Sequence, residues 1–477
     1  VLATNFTAVF NTKSGPCFFA TENKCVNTQK FSVHICLINN IFTIFVENKC
    51  VNTQKLSLEM EIKRDLYLKR LTNSMHNQMI KIITGMRRCG KSYLLFTIFY
   101  NYLKEQGIND NHIIQVDLED RRNKRLRDPD ALLNYIDSKM TDDQMYYILM
   151  DEVQHVNEFE DVLNSYLKIR NADVYVTGSN SKFLSKDVIT EFRGRGEEIK
   201  IAPLSFREFA SVFEGTQEQT LQEYLTYGGL PKIVTMTDEN QKIDYLDNLF
   251  EEVYLTDIKE RYKIRNDSDL EDLINVIASS VGGLMSIKKI EDTFTSVKHS
   301  KISYNTIKSY LDILQDAFLL EKSVRYDVKG RKYIETPAKY YFSDLGLRNA
   351  RLHFRQQEVT HLMENLIYNE LRARGLSVDV GVVVINVKNE KGISERRQLE
   401  VDFVCNQGSK RLYIQSALCL PSEEKREQEL QSLKNIDDVF LKFVITEDPI
   451  KKHHDENGII FMNLYDFLLN ENSLNEI

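Results

Sequence analysis

Four short apolar runs set the frame of the first half of this chain. Ile82-Ile83, Ile113-Ile-Gln-Val-Asp-Leu118, Met145-Tyr-Tyr-Ile-Leu-Met150 and Asp173-Val-Tyr-Val-Thr177 are near-continuous in hydrophobic residues. Runs of that kind read as parallel strands buried on both faces. Between them the spacing turns helical, after Ser92 and again over Ala131–Lys139. A charged helical lead-in over Glu61–Leu71 precedes the first run. Alternating strands and helices predict an α/β domain around a parallel sheet. From Thr220 to about Tyr262 the pattern is helical, broken at Gly228-Gly229-Leu230-Pro231 where glycine and proline enforce a turn. Helical segments follow at Leu270–Ser280, Ser286–Thr293 and Ser303–Phe318, then two extended runs, Glu321–Val328 and Tyr333–Phe342, hinged by Lys329-Gly-Arg-Lys332. Beyond Arg355 the order is helix (Glu364–Arg374), strands (Val378–Ile385, Gln398–Cys405, Arg411–Ala417), helix (Glu423–Asn435) and strand (Phe440–Ile445).

Candidate chemistry sits at the ends of the first and third runs. Ile82-Ile83 leads into Gly85-x-x-x-x-Gly90-Lys91-Ser92 and then a helical segment, the context of a phosphate-binding P-loop. Glycine lets the backbone curl so that successive N–H groups face a phosphate, and the helix N-terminus adds partial positive charge. The expected nucleotide-binding residues are Gly85, Met86, Arg87, Arg88, Cys89, Gly90, Lys91, Ser92 and Tyr93. Lys91 is expected on the β- and γ-phosphates of ATP, and Ser92 on Mg²⁺. The third run ends in Asp151-Glu152. Asp151 is expected to hold Mg²⁺ and Glu152 to polarise the attacking water, which favours ATP hydrolysis over phosphate transfer to a metabolite. Ser179 or Asn180, past the tip of the fourth run, is the candidate γ-phosphate sensor. Arg195 is the candidate arginine that reaches a neighbouring copy's γ-phosphate, which implies an oligomer.

Composition narrows the setting. The chain has 477 residues, 28% of them charged, and a net charge of −8, which suits about three soluble domains and argues against a general nucleic-acid coat. No apolar run approaches the roughly 20 residues that cross a bilayer, so no membrane partner is expected. Seven cysteines without regular spacing read as reduced thiols, and the expected location is the cytoplasm. Residues 1–59 stand apart. They contain no methionine before Met60, and Glu22–Lys30 recurs letter for letter at Glu47–Lys55. The expectation is translated upstream DNA with a direct repeat, or a disordered arm, with synthesis starting at Met60.

The three central helices and the following hairpin predict a winged helix over 266–350, with Tyr304–Tyr310 opening its recognition helix and Lys329–Lys332 as wing tip. Lys298, His299 and Lys301 are placed to touch DNA phosphates. A helical lid is expected over 216–265, a P-loop ATPase domain over 60–215 and a separate α/β domain over 351–477.

Several of these motifs resemble a prokaryotic AAA-type ATPase family whose members carry a P-loop domain and a characteristic C-terminal region. The resemblance rests on Gly85–Ser92, Leu149-Met-Asp-Glu-Val-Gln154, Val176-Thr-Gly-Ser-Asn-Ser181, Gly194-Arg195 and Pro203-Leu-Ser-Phe-Arg-Glu-Phe209. It continues through Tyr227-Gly-Gly-Leu-Pro231, Asp257-Ile258 and Tyr341-Phe-Ser-Asp-Leu-Gly346. It implies ATP and Mg²⁺ as cofactors, with a protein client or DNA as partner. The last segment is similar to the PD-(D/E)xK (restriction-endonuclease-like) nuclease fold. On that resemblance Glu364 and Asp402 match the expected acids, whereas Gln415 replaces the second strand acid and Ala417 stands where a lysine belongs. Lys410 and Lys442 are the candidate replacements. These departures argue against cleavage and for a retained fold that binds nucleic acid or a partner.

Overall fold

The computed structural model describes residues 17–20, 33–38, 41–46 and 62–475, except 179–191, 193, 265–266, 299–301, 356–357 and 389–391. Two compact units divide the chain, Val1–Ile62 and Lys63–Ile477. In the first, β1 (Cys17–Ala20), β2 (Val33–Ile38) and β3 (Ile41–Val46) form an antiparallel sheet in that order. Both copies of the nine-residue repeat lie outside the described residues.

The second unit opens with a five-stranded parallel sheet. Its strands are β4 (Ile80–Gly85), β5 (Ile113–Asp117), β6 (Tyr146–Asp151), β7 (Ala172–Thr177) and β8 (Gly196–Ile201), in the spatial order β5-β6-β7-β4-β8. Every residue of β4 and β6 is buried, as continuous apolar runs require when helices cover both faces. Ile82, Ile148, Met150 and Val176 pack with Leu132 and Ile136 of the helix Pro129–Lys139 and with Val162 and Leu163 of the helix Phe159–Tyr166. The one charge inside β4, Lys81, is matched rather than stranded, because its ammonium pairs with Asp173 on β7 and lies 5.1 Å from the Tyr175 ring centre. Strand β7 thus lies between the strand that feeds the glycine loop and the strand that ends in Asp151. That order brings three strand tips to one edge of the sheet, where open α/β sheets bind ligands.

Between β8 and Asp316 the described elements are helices, among them Phe206–Ala210, Gln217–Tyr227, Pro231–Val234, Glu239–Asn248, Thr256–Tyr262, Asp267–Ser279, Ile287–Thr293 and Tyr304–Asp316. Side chains of Thr216, Asp238, Ser286 and Ser303 cap four of these helices by accepting a backbone N–H. A second sheet of eight strands closes the chain. It comprises β9 (Leu320–Asp327), β10 (Lys332–Phe342), β11 (Ser377–Lys388), β12 (Ser394–Gln407), β13 (Lys410–Ala417), β14 (Leu441–Thr446), β15 (His453–His454) and β16 (Ile460–Asn463), ordered β10-β9-β11-β12-β13-β14-β16-β15. The hairpin β9–β10, expected as a wing, pairs through β9 in parallel with β11, Val380 opposite Arg325. One sheet therefore runs across the boundary drawn at 350 from the sequence. Among the described residues no helix is long and apolar enough to cross a membrane.

Candidate functional site

The glycine loop takes its shape from positions where a side chain has no room. Gly85 has φ +145°, and a Cβ there would lie 2.3 Å from the Ile201 carbonyl oxygen on β8. Gly90 caps the next helix in a left-handed conformation, φ +97°. Within the curl, buried Lys91 donates from Nζ to the Gly85 oxygen at 3.1 Å and the Met86 oxygen at 3.0 Å. Met86 and Cys89 face the core, while Arg88 is exposed. Tyr93 completes the short first helical turn, Lys91–Tyr93, whose carbonyls continue into a wider π-type stretch over Leu94–Phe99.

A hydroxyl chain joins the loop to the acids at the tip of β6. Ser92 Oγ donates to Asp151 Oδ2 at 2.7 Å. Thr177, the last residue of β7, donates from Oγ1 to Asp151 Oδ1 and accepts the Glu152 N–H at 2.9 Å. Glu152 itself is left-handed, φ 51° and ψ 50°, a conformation that costs a non-glycine residue about 1–2 kcal/mol and clusters at functional sites. Its carboxylate accepts a hydrogen bond from Gln154 Nε2. Burial pushes the Asp151 carboxyl above its ordinary range, and the Thr177 and Ser92 donors pull it back. Neighbouring Glu152 and Asp117 push upward again. Asp117, at the tip of β5, stands in register with Asp151.

The residues that the sequence named for Mg²⁺, Ser92 and Asp151, thus touch each other at a buried, acid-rich strand tip. A hydroxyl and a carboxylate suit Mg²⁺, which takes one or two carboxylates and otherwise keeps water and phosphate oxygens. Among the described residues no three His, Cys, Asp or Glu side chains form an all-protein metal cage. Thr177 escaped the sequence reading, which favoured Ser179 or Asn180 further along; both lie outside the described residues. The available signal was a single hydroxyl ending an apolar strand. Arg195 is not brought to this edge. Its carbonyl accepts the Ile80 N–H at 2.9 Å, at the start of β4 and one strand length from the glycine loop.

The AAA domain family matches residues 77–210, the span that holds all of these groups, and a domain of unknown function matches 218–358. An uncharacterized Haemophilus influenzae protein is 34% identical over 417 residues, covering 86% of this chain and 98% of its own length. One from Methanocaldococcus jannaschii is 30% identical over 409 residues, 81% of this chain and 85% of that protein. The chain belongs to their family. The chain carries an AAA-type P-loop domain, and its parallel sheet is the P-loop NTPase core that the AAA match implies. Among solved structures, the Aeropyrum pernix ORC1 protein in complex with DNA matches 61% of this chain and 93% of its own at 13% identity, TM-score 0.24.

Neither domain match of this AAA-type protein reaches Glu364, Asp402 or Gln415, yet the second sheet gathers them. Glu364 lies on the helix Val359–Ala373, Asp402 on β12 and Gln415 on β13. At their centre is a residue the sequence reading missed. Buried Lys339, on β10, places Nζ 2.8 Å from Glu364, 2.7 Å from Glu400 and 3.6 Å from Asp402. Tyr341 donates to Glu364 at 2.6 Å, and the Ser416 N–H to Asp402 at 2.8 Å. Gln415 accepts from the Asp402 N–H at 3.4 Å. Burial pushes Asp402 up to about 7, Lys339 opposing and Glu364 adding to the shift. Burial works against the Lys339 ammonium, but Glu364, Asp402 and Glu400 outweigh it and hold its pKa above the ordinary value. The expected replacements for the missing lysine lie elsewhere. Lys442 donates to the Ile436 carbonyl at 2.8 Å, and Lys410 is exposed where β13 begins. The signal for Lys339 was one lysine inside Ala338-Lys-Tyr-Tyr-Phe342, an otherwise apolar run.

Proposed function

We propose that this protein binds ATP at Gly85–Ser92 and hydrolyses it to ADP and phosphate, acting in the cytoplasm. The observation that carries the reading is the continuous chain Ser92–Asp151–Thr177–Glu152, which ties a P-loop lysine's neighbour to a paired acid. The loop's N–H groups and Lys91 hold the β- and γ-phosphates. Ser92 and Asp151 would hold Mg²⁺, which when bound neutralises phosphate charge. Glu152 accepts a hydrogen bond from the attacking water and orients it, and Thr177 fixes Glu152 against Asp151. Arg195 acts on the site of a second copy, since its own loop is a strand length away. The segment 216–265 serves as lid. The three helices from Asp267 and the hairpin β9–β10 act as a winged helix that carries nucleotide state to DNA or a protein client. The part of the second sheet beyond 351 is a nuclease-like fold that binds rather than cuts, because its acids are already occupied by Lys339 of β10.

A second reading is favoured by Gln154, whose amide holds the Glu152 carboxylate. In that reading the protein is a nucleotide switch with negligible turnover. Phosphate release by wild type and Glu152→Gln separates them. Hydrolysis predicts a rate lowered about 10²–10⁴-fold with ATP binding retained. A wild type that binds ATP without releasing phosphate overturns the ATPase reading and leaves the switch.

A further inference from the structure

The outer side of the glycine loop is gripped by the helical segment that follows it in space. Tyr254 donates its hydroxyl hydrogen to the Arg87 carbonyl oxygen at 2.9 Å, and Arg87 Nη2 lies 3.2 Å from Asp257 Oδ1. Tyr254 and Asp257 are three residues apart, which puts both on the helix face turned to the loop. The same helical segment is tied downstream, through Glu251 to Arg351 at 2.6 Å and through Lys259 to Glu271 at 2.8 Å. Two features make the Arg87–Asp257 pair exchangeable. Asp257 has a second cation, Arg261, on its other oxygen, so loss of Arg87 does not strand it. Arg87, for its part, spends one of five donors on Asp257, and its buried Nε has no hydrogen-bond partner among the described residues.

We propose that Arg87 is a second phosphate-binding cation of the nucleotide site, and that Asp257 is its competing partner. A γ-phosphate offers a guanidinium two oxygens and more charge than a half-shared carboxylate. A nucleoside triphosphate therefore draws Arg87 from Asp257 and leaves the Tyr254 hydrogen bond as the loop's tie to the covering helix, whereas a diphosphate leaves the pair intact. Arg87 binds phosphate directly, and Asp257 is a positioning residue that acts through it. The inference rests on the ATP-binding reading above and adds the distinction between ATP and ADP.

The test is calorimetric titration of the full chain with ADP and with the slowly hydrolysed analogue AMP-PNP, Mg²⁺ present. Arg87→Ala is expected to weaken AMP-PNP about thirtyfold and ADP less than about threefold. Asp257→Asn is expected to tighten AMP-PNP about fivefold and leave ADP unchanged, an opposite sign that a merely structural role does not produce. Arg87→Lys keeps the charge without the fork and falls between wild type and alanine, which covers the case of a poorly folded alanine variant. Equal losses for both nucleotides in the Arg87 variants, or an Asp257→Asn protein with unchanged or weaker AMP-PNP binding, overturns the proposal alone. A wild type that takes up neither nucleotide overturns it together with the ATP-binding reading.

Discussion

Asp151 and Asp402 are both buried aspartates on sheet strands, each beside a second acid, and their charges are met in opposite ways. Asp402 shares a lysine with buried Glu364 and with half-buried Glu400. Asp151 receives only hydroxyl donors, from Ser92 and Thr177, and among the described residues no cation pairs with it. Lys91, one residue from Ser92, spends its ammonium on two loop carbonyls instead. A buried carboxylate is costly without a counter-charge. At β12 the fold supplies that charge through Lys339, whereas at β6 the described residues offer Asp151 hydroxyl donors. Acids of similar burial are thus met by a cation in one sheet and by hydroxyl donors in the other.

The difference can be broken most severely at Lys339. Lys339→Met leaves three acids around an uncharged side chain, and urea unfolding is expected to show a loss of about 3–5 kcal/mol at neutral pH. Nucleotide affinity in the same variant should remain at the wild-type value, since the first sheet carries its own site. A loss below about 1 kcal/mol would mean that Lys339 is not the charge that holds the cluster. A smaller effect sharpens the comparison through pH. Folded Asp402 keeps its proton up to about 7, while an ordinary aspartate releases it at 3.8. Between those values the folded state binds more protons, so stability falls as pH rises through the window and levels off above it. The drop is at most about 4 kcal/mol, read from urea midpoints across the range. Asp402→Asn should flatten that slope, and Lys339→Met should carry it above pH 7, because the opposing cation is gone. A slope unchanged by Asp402→Asn would assign the pH dependence to another group.

What could be read from the residues followed local rules. Continuous apolar runs marked β4, β6 and β7, and glycines at fixed spacing marked the loop, because backbone chemistry within a dozen residues dictates both. The Asp151–Glu152 pair was legible for the same reason, lying at the end of its own strand. Thr177 was read as the end of its strand yet passed over for Ser179 or Asn180, because sequence does not show which hydroxyl at a strand tip turns toward Asp151. Lys339 was hidden more deeply. It reaches Asp402 only because β9 pairs with β11, and such long-range pairing leaves no local trace. The same pairing hid the continuity of the second sheet across residue 350. Arg195 was named for a neighbouring copy's site, and parallel strands put it at the far edge from its own loop.

The measurement that bears most directly on the account is titration of Mg²⁺-ATP into the wild-type chain and Lys91→Ala. One saturable site is expected in the wild type, weakened at least about a hundredfold in the variant, with unfolding midpoints alike for the two proteins. An absence of ATP uptake by the wild type, or equal uptake by both, would contradict it.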